Sequence, residues 1–343
     1  MDQSQFHEKM SDSYDQMISW PARLSTESKF FEKLVRKNKV KSSLDVGCST
    51  GFHVVMLRRM GVDSAGIDSS PKMIEKAKAN AIACGVNVEY MLGDMTQLSK
   101  RFSEGFDLIT CLGDTLAHIG NKKNVSQIIN EIHKCLNPNG LFLLQALNYT
   151  HILKNKIRFL PPNLPPNLVN KTLFFKTLDF SRSSIILNLT KHAWHENKWA
   201  VSTFSTKIMP YTKKEIELLL RSAGLKKIKS YQNFNFEDYD VNESNLILIA
   251  SKEDGPERTW LPSKNSRLSK TSTENQNKLT GAKIQTRKTN TQKMASIPSK
   301  ITKEITKKPT KLSLSNKKTA RHSKLKQLVG TKRSKLIQPY YPS

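Results

Sequence analysis

Apolar residues recur along this chain with two alternating periods, and their order predicts an architecture. Phe30, Phe31, Leu34 and Val35 fall on one face of a helix over 26–39, just before a strand-like run at 43–47. A helix over 52–60 follows a glycine turn. Ser70 suits an N-cap with Pro71 at the first helical position, and Met73, Ile74, Ala77 and Ala81 continue as an apolar stripe. Runs at 88–92 and 106–112 read as further strands. Val125, Ile128, Ile129 and Ile132 repeat at i, i+3, i+4, i+7, which predicts a helix over 122–136 ending at the turn Asn137-Pro138-Asn139-Gly140. Leu141–Leu147 is then almost uninterrupted in its apolar character, as befits a central parallel strand buried on both faces. Strands alternating with helices imply right-handed crossovers and a doubly wound α/β sheet, with ligands at the carboxyl ends of the strands.

The alternation stops over 149–210. The proline-rich connection Pro161-Pro162-Asn163-Leu164-Pro165-Pro166 leads into three extended segments near 171–180, 184–194 and 199–209, rich in Phe, Thr, Ile and Trp. These are expected to form an antiparallel insertion over the sheet edge, serving as a substrate lid. Thr212 and Glu215 make a capping box for a helix that stops at Gly224, and two last strands near 226–234 and 244–251 complete seven.

Beyond Lys252 the pattern dissolves into Lys, Ser, Thr, Asn and Gln. The whole chain carries 56 basic and 29 acidic side chains, net +27, and +18 of this lies from Lys252 onward. Such a segment buries too little apolar surface to offset chain entropy, so 253–343 is expected to be a disordered basic tail. Three parts follow: an N-terminal cap and first helix over 1–40, a domain over 41–252, and the tail. Cys48, Cys84, Cys111 and Cys135 lack metal-type spacing and read as free thiols of a reducing compartment. With no signal-like start and no long apolar run, the expected location is the cytoplasm.

Candidate chemistry sits at the predicted strand ends. Leu44-Asp45-Val46-Gly47-Cys48-Ser49-Thr50-Gly51-Phe52 runs from a strand through a glycine turn into a helix, where backbone approaches a ligand closely and helix N–H groups are unpaired. Asp68 ends the next strand, 17 residues beyond Gly51, at the spacing of an acid that accepts hydrogen bonds from ribose hydroxyls. Ser49 forfeits easy access to positive φ, so the turn is expected to avoid that region. Met73 reads as core, and His53 and His133 read as helix-surface residues. His192, His195, Trp194 and Trp199 lie on lid strands, and no metal site is expected.

The run LDVGCSTG, the acid in GIDSSPKMI, the third strand ending at Leu92-Gly93-Asp94-Met95 and the fourth reading FDLITCLGDTLAHI resemble the class I S-adenosylmethionine-dependent methyltransferases. The likeness is narrower to the glycine N-methyltransferase-like branch, through Tyr14-Asp15, Trp20, Arg23, Cys111–His118 and Gln145–Tyr149. That resemblance implies a Rossmann-like methyltransferase fold whose last strand pairs antiparallel, and S-adenosyl-L-methionine as cofactor. Asp45, Gly47 and Gly51 would surround the methionine part, Asp68 the ribose, Asp94 and Met95 the adenine, with Cys111 and Leu112 near the methionyl ammonium. Tyr14, Asp114 and His118 become catalytic candidates, and Arg23, Asn148 and Tyr149 candidates for substrate binding. His118 reads equally as a proton acceptor and as a packed histidine. Asp114 stands where that branch often has Asn; a carboxylate there repels a substrate carboxylate and attracts an ammonium. The expected reaction is N-methylation of a small amine or amino acid. Two alternatives remain open: an RNA or protein methyltransferase that holds its substrate, or another polyanion such as non-specific nucleic acid, through 253–343, and a cofactor-binding regulatory protein without turnover.

Overall fold

The computed structural model describes residues 3–102, 105–163 and 172–253. Helix α1 (Gln3–Ile18) and helix α2 (Trp20–Asn38) precede strand β1 (Ser42–Val46). The expected helix over 26–39 thus covers only the later part of α2. Its first half escapes a periodicity reading because Trp20–Ser25 carries little apolar repeat, and Pro21 in its first turn costs nothing there. From β1 the chain alternates through α3 (Phe52–Arg59), β2 (Asp63–Asp68), α4 (Pro71–Ala83), β3 (Glu89–Leu92), β4 (Phe106–Cys111), α5 (Lys122–Cys135) and β5 (Leu136–Leu147). The expected turn Asn137–Gly140 does not separate α5 from the strand. It is absorbed as an irregularity in β5, where Leu136 pairs with Phe106 but Leu141 already pairs with Leu108, and Asn139 takes φ 59°.

The insertion comprises α6 (Tyr149–Asn155), β6 (Phe159–Asn163), β7 (Thr172–Phe180), β8 (Ile185–His195) and β9 (Lys198–Ile208). Pro161 and Pro162, expected in a connection, lie in β6, an edge strand where a missing N–H is tolerated. Then α7 (Lys213–Ser222), β10 (Leu225–Tyr231) and β11 (Asn245–Lys252) close the chain's described part. Thr212 and Glu215 do form the capping box at α7.

Seven strands order as β10-β11-β5-β4-β1-β2-β3, with β11 antiparallel to both neighbours, and the insertion forms a separate four-stranded antiparallel sheet, β6-β7-β8-β9. This is the seven-stranded sheet with an antiparallel last strand that the resemblance implies. Its order reverses between β1 and β4, so a crevice opens at their carboxyl ends. One core on a sheet face gathers Val125, Ile128, Ile129 and Ile132 of α5 with Leu44, Ile109 and Leu144. Phe30, Phe31 and Leu34 of α2 join Leu108, Leu143 and Ile247 on the other. The insertion's strands pack through Leu178, Ile185 and Ile208 on Ala117 and on Tyr149 and Ile152 of α6, beyond the ends of β4 and β5 rather than along an outer edge. Among the described residues no helix is long and apolar enough to cross a membrane.

Candidate active site

The turn after β1 is held by its neighbour strand: the N–H groups of Gly47 and Cys48 both donate to the Ile67 carbonyl, at 2.8 and 3.0 Å. Gly47 (φ 75°) and Gly51 (φ 88°) require glycine on two counts. A Cβ would stand 2.6 Å from Thr115 Cγ2 at the first and 2.2 Å from the Tyr90 hydroxyl at the second. Ser49 also takes a left-handed conformation, φ 51°, against the expectation that the turn would avoid it. The cost, about 1–2 kcal/mol, is offset by fixed partners. Ser49 N–H donates to Asp68 Oδ2 at 2.9 Å, its hydroxyl lies 3.5 Å from Met73 Sδ, and Tyr14's phenol hydrogen-bonds its side chain. Met73 itself is buried in the core, as its stripe predicts.

Asp68 Oδ1 accepts from Ser70 N–H at 2.9 Å, so the carboxylate is oriented by the backbone on both sides. The Gly93 N–H donates to the Asp68 carbonyl, which brings the end of β3 alongside. Asp94 there caps the short turn Met95–Lys100 through Thr96 N–H.

Helix α1 is bound to the glycine turn by Asp15, to which no role falls from sequence. Its carboxylate accepts from Thr50 Oγ1 at 2.5 Å, Trp20 Nε1 at 3.0 Å and Asn80 Nδ2 at 3.0 Å. A small cleft lies here, lined by the turn Gly47–Thr50, by Leu112 and Gly113 after β4, and by Tyr14 and Arg23.

His53 is not a surface residue: it is 5% exposed and lines the same cleft. Its Nε2 meets Glu27 Oε2 at 2.8 Å and Arg23 Nη2 at 3.1 Å, its Nδ1 lies 3.7 Å from Asp45, and Arg23 Nε donates to Glu27 at 2.7 Å. Burial and the Arg23 charge press the His53 pKa down, but the neighbouring Asp45 and Glu27 carboxylates outweigh them and raise it. For Glu27, burial is outweighed by Arg23 and His53, and its pKa is lowered. Sequence held no signal for this cluster, since only α2 crossing α3 brings Glu27 and His53 together. Asp45 is buried and accepts from Thr110 Oγ1 at 2.6 Å.

At the end of β4, Cys111 and Leu112 are buried and Asp114 follows with φ 68°. Asp114 accepts from Leu147 N–H at 3.1 Å and from the Tyr149 hydroxyl at 2.6 Å. Burial raises its pKa to about 6; those two bonds and the charge of Lys176 pull the other way. Tyr149 is fully buried, and its pKa is raised by burial and by Asp114. His118 stacks on Phe6 of α1 with ring centroids 6.1 Å apart. Asn148 is turned away: its Nδ2 donates to the carbonyls of Asp240, Val241 and Glu243, and its Oδ1 accepts from Tyr239 and the His151 N–H. That amide anchors the 240–243 loop and caps α6, and offers nothing to a ligand. Burial raises the pKa of Cys48 and Cys111, leaving inert thiols. Among the described residues no group of His, Cys, Asp and Glu could hold a metal ion.

The backbone of the turn and the Arg23 guanidinium line the cleft, and Asp68 is joined to the same turn through the Ser49 N–H; this set fits a ligand with ribose hydroxyls, an ammonium and a carboxylate. A family model described as "Methyltransferase domain" matches residues 44–140. The chain is 26% identical over 260 residues to a glycine/sarcosine N-methyltransferase of Aphanothece halophytica, spanning 74% of this chain and 91% of that one. It is 30% identical over 152 residues to a glycine/sarcosine N-methyltransferase of Parasynechococcus marenigrum, 44% and 54% of the two lengths. Of solved structures, the CcbJ methyltransferase from Streptomyces caelestis superposes with a TM-score of 0.61 at 17% identity, over 74% of this chain and 100% of that one. An S-adenosylmethionine-dependent methyltransferase from Clostridium acetobutylicum superposes at 0.60 and 16% identity, over 72% and 98%. Both share the fold.

Proposed function

We infer, from a chain that is a class I S-adenosylmethionine-dependent methyltransferase, that it transfers the methyl group to the nitrogen of a small amine or amino acid. The cofactor supplies a sulfonium-bound methyl; the chain's own task is to hold a nucleophile in line with it and exclude water. Asp68 takes the ribose and the turn Gly47–Gly51 the methionyl part. Tyr14 and Arg23 line the same cleft.

One observation carries the choice of nitrogen: a buried carboxylate, Asp114, held by Tyr149 and the Leu147 N–H, adjoins the cleft at Gly113. With its pKa at about 6 it is ionised at neutral pH, attracts an ammonium and is a better proton acceptor than an ordinary carboxylate. The glycine/sarcosine N-methyltransferase relatives agree with that choice. The macromolecular alternative draws on the charge from Lys252 onward, and the expected tail lies outside the described residues except for Glu253. A methyl-transfer screen across amino acids, simple amines, polyamines and total RNA tests the proposal. Transfer to small amines is the expected result, and transfer to RNA alone would overturn it.

A further inference from the structure

The lid sheet places one cation where no periodicity pattern would locate it. Along β7, Phe174, Lys176 and Leu178 share a face, because side chains alternate across a strand. Phe174 is buried with Phe6 and Met10 of α1, and Leu178 with Ala117 and Tyr149. Lys176, between them, therefore faces the floor that carries Asp114. Its cross-strand partners are Leu160 and Leu189, so its stem runs through apolar surroundings. The lid is docked in this position, with Lys191 Nζ donating to Ser13 of α1 at 2.6 Å.

Lys176 feels two charges, the Asp114 carboxylate and the Arg23 guanidinium, and Asp114 feels Lys176 in return. Burial and Arg23 disfavour its ammonium while Asp114 favours it. Yet among the described residues no carboxylate oxygen lies within ion-pair distance of Lys176. Two opposite charges that are coupled without touching, under a lid and beside the cleft, form the poles of a site for a zwitterion.

We propose that Lys176 is an acceptor-binding residue supplied by the lid, taking an anionic group, a carboxylate, of the methyl acceptor while Asp114 takes its amine end. This rests on the N-methyl reading and sharpens it. The repulsion that Asp114 alone would exert on a carboxylate is answered by a cation facing it, so the site selects acceptors that bear both charges.

Acetate and methylamine, the two halves of such an acceptor, test this by saturation-transfer NMR on the full chain with S-adenosylhomocysteine bound. The wild type is expected to bind both. Lys176→Met should weaken acetate by about tenfold or more, leaving methylamine and S-adenosylhomocysteine affinity and the melting temperature unchanged, while Lys176→Arg should retain acetate. Acetate that fails to bind the wild type, or binds Lys176→Met equally, overturns the proposal. So does a loss of S-adenosylhomocysteine affinity in Lys176→Met, which would assign the residue to the cofactor. If acetate binds through Lys176 but no amine is methylated, the N-methyl reading falls and the anion site stands. If amines are methylated while acetate ignores the substitution, the reverse holds.

Discussion

Burial of the Asp114 carboxyl sets a pH-dependent cost in stability. Its ordinary pKa, 3.8, is raised by burial to about 6, so the folded protein binds that proton more tightly than the unfolded chain does. Below about pH 3 the group is neutral in both states. As pH rises towards 6 the unfolded chain ionises first, and above 6 the folded state carries a full penalty of about 2–3 kcal/mol. Asp114→Asn removes that penalty, so it should melt above the parent at about pH 8 and converge with it near pH 3. An equal gap at every pH would show that charge is not the cause. For Asp68, truncation to Ala leaves the Ser49 and Ser70 N–H groups without their acceptor and, under the proposed site, removes the ribose partner. Calorimetry should find S-adenosylhomocysteine bound more weakly by about 1–3 kcal/mol, and unchanged affinity would remove Asp68 from the site.

Two elements carry predictions of their own. Helix α2 is joined to α3 by the Glu27–His53 contact, and the signs of its two shifts set a pH window. Glu27, held below its ordinary 4.5, adds stability above pH 4.5 that is lost as pH falls through its lowered value. His53, raised above 6.5, adds stability that is full below pH 6.5 and is lost as pH rises through its raised value. The contact is therefore strongest between the two, and His53→Gln should flatten the fall in melting temperature above pH 6.5; a parallel curve would refute it. In the insertion, β8 and β9 pair up to His195–Lys198 around Glu196 and Asn197, whose φ angles of 48° and 60° define a two-residue turn of the left-handed type. Glutamate is poorly suited to that conformation. Replacing the pair by Asn-Gly should stabilise the hairpin by about 1 kcal/mol, read as slower hydrogen exchange of the β8 and β9 amides.

At the scale of the molecule, charge and fold are separable. The seven-stranded sheet is complete at Lys252, whereas two thirds of the excess positive charge lies from that residue onward. A chain ending after Glu253 should keep its melting temperature and cofactor affinity, and lose most of its salt-sensitive retention on RNA, because Lys-rich segments bind phosphates by counterion release. Filter binding between low and physiological salt measures this. Equal retention by the shortened chain would place the nucleic-acid affinity on the folded part.

The sequence alone determined the alternation of α5 and β5, the glycine turn after β1 and the acids at the ends of β1, β2 and β4. Each is a local property: a period of 3.6 or 2, or a turn that excludes side chains. Tertiary structure decided what lies far apart in the chain. Ser49 enters the left-handed region because Asp68, Met73 and Tyr14 are there to hold it, so its local preference is overruled. The face of His53 meets Glu27 because α2 crosses α3. Asn148, in the family's run beside Tyr149, spends its amide on a loop some ninety residues on, whereas Tyr149 turns towards Asp114. Lys176 reaches the field of Asp114 only because the insertion folds back over the ends of β4 and β5. Periodicity reports which face of an element is apolar; what that face meets is set by packing between elements.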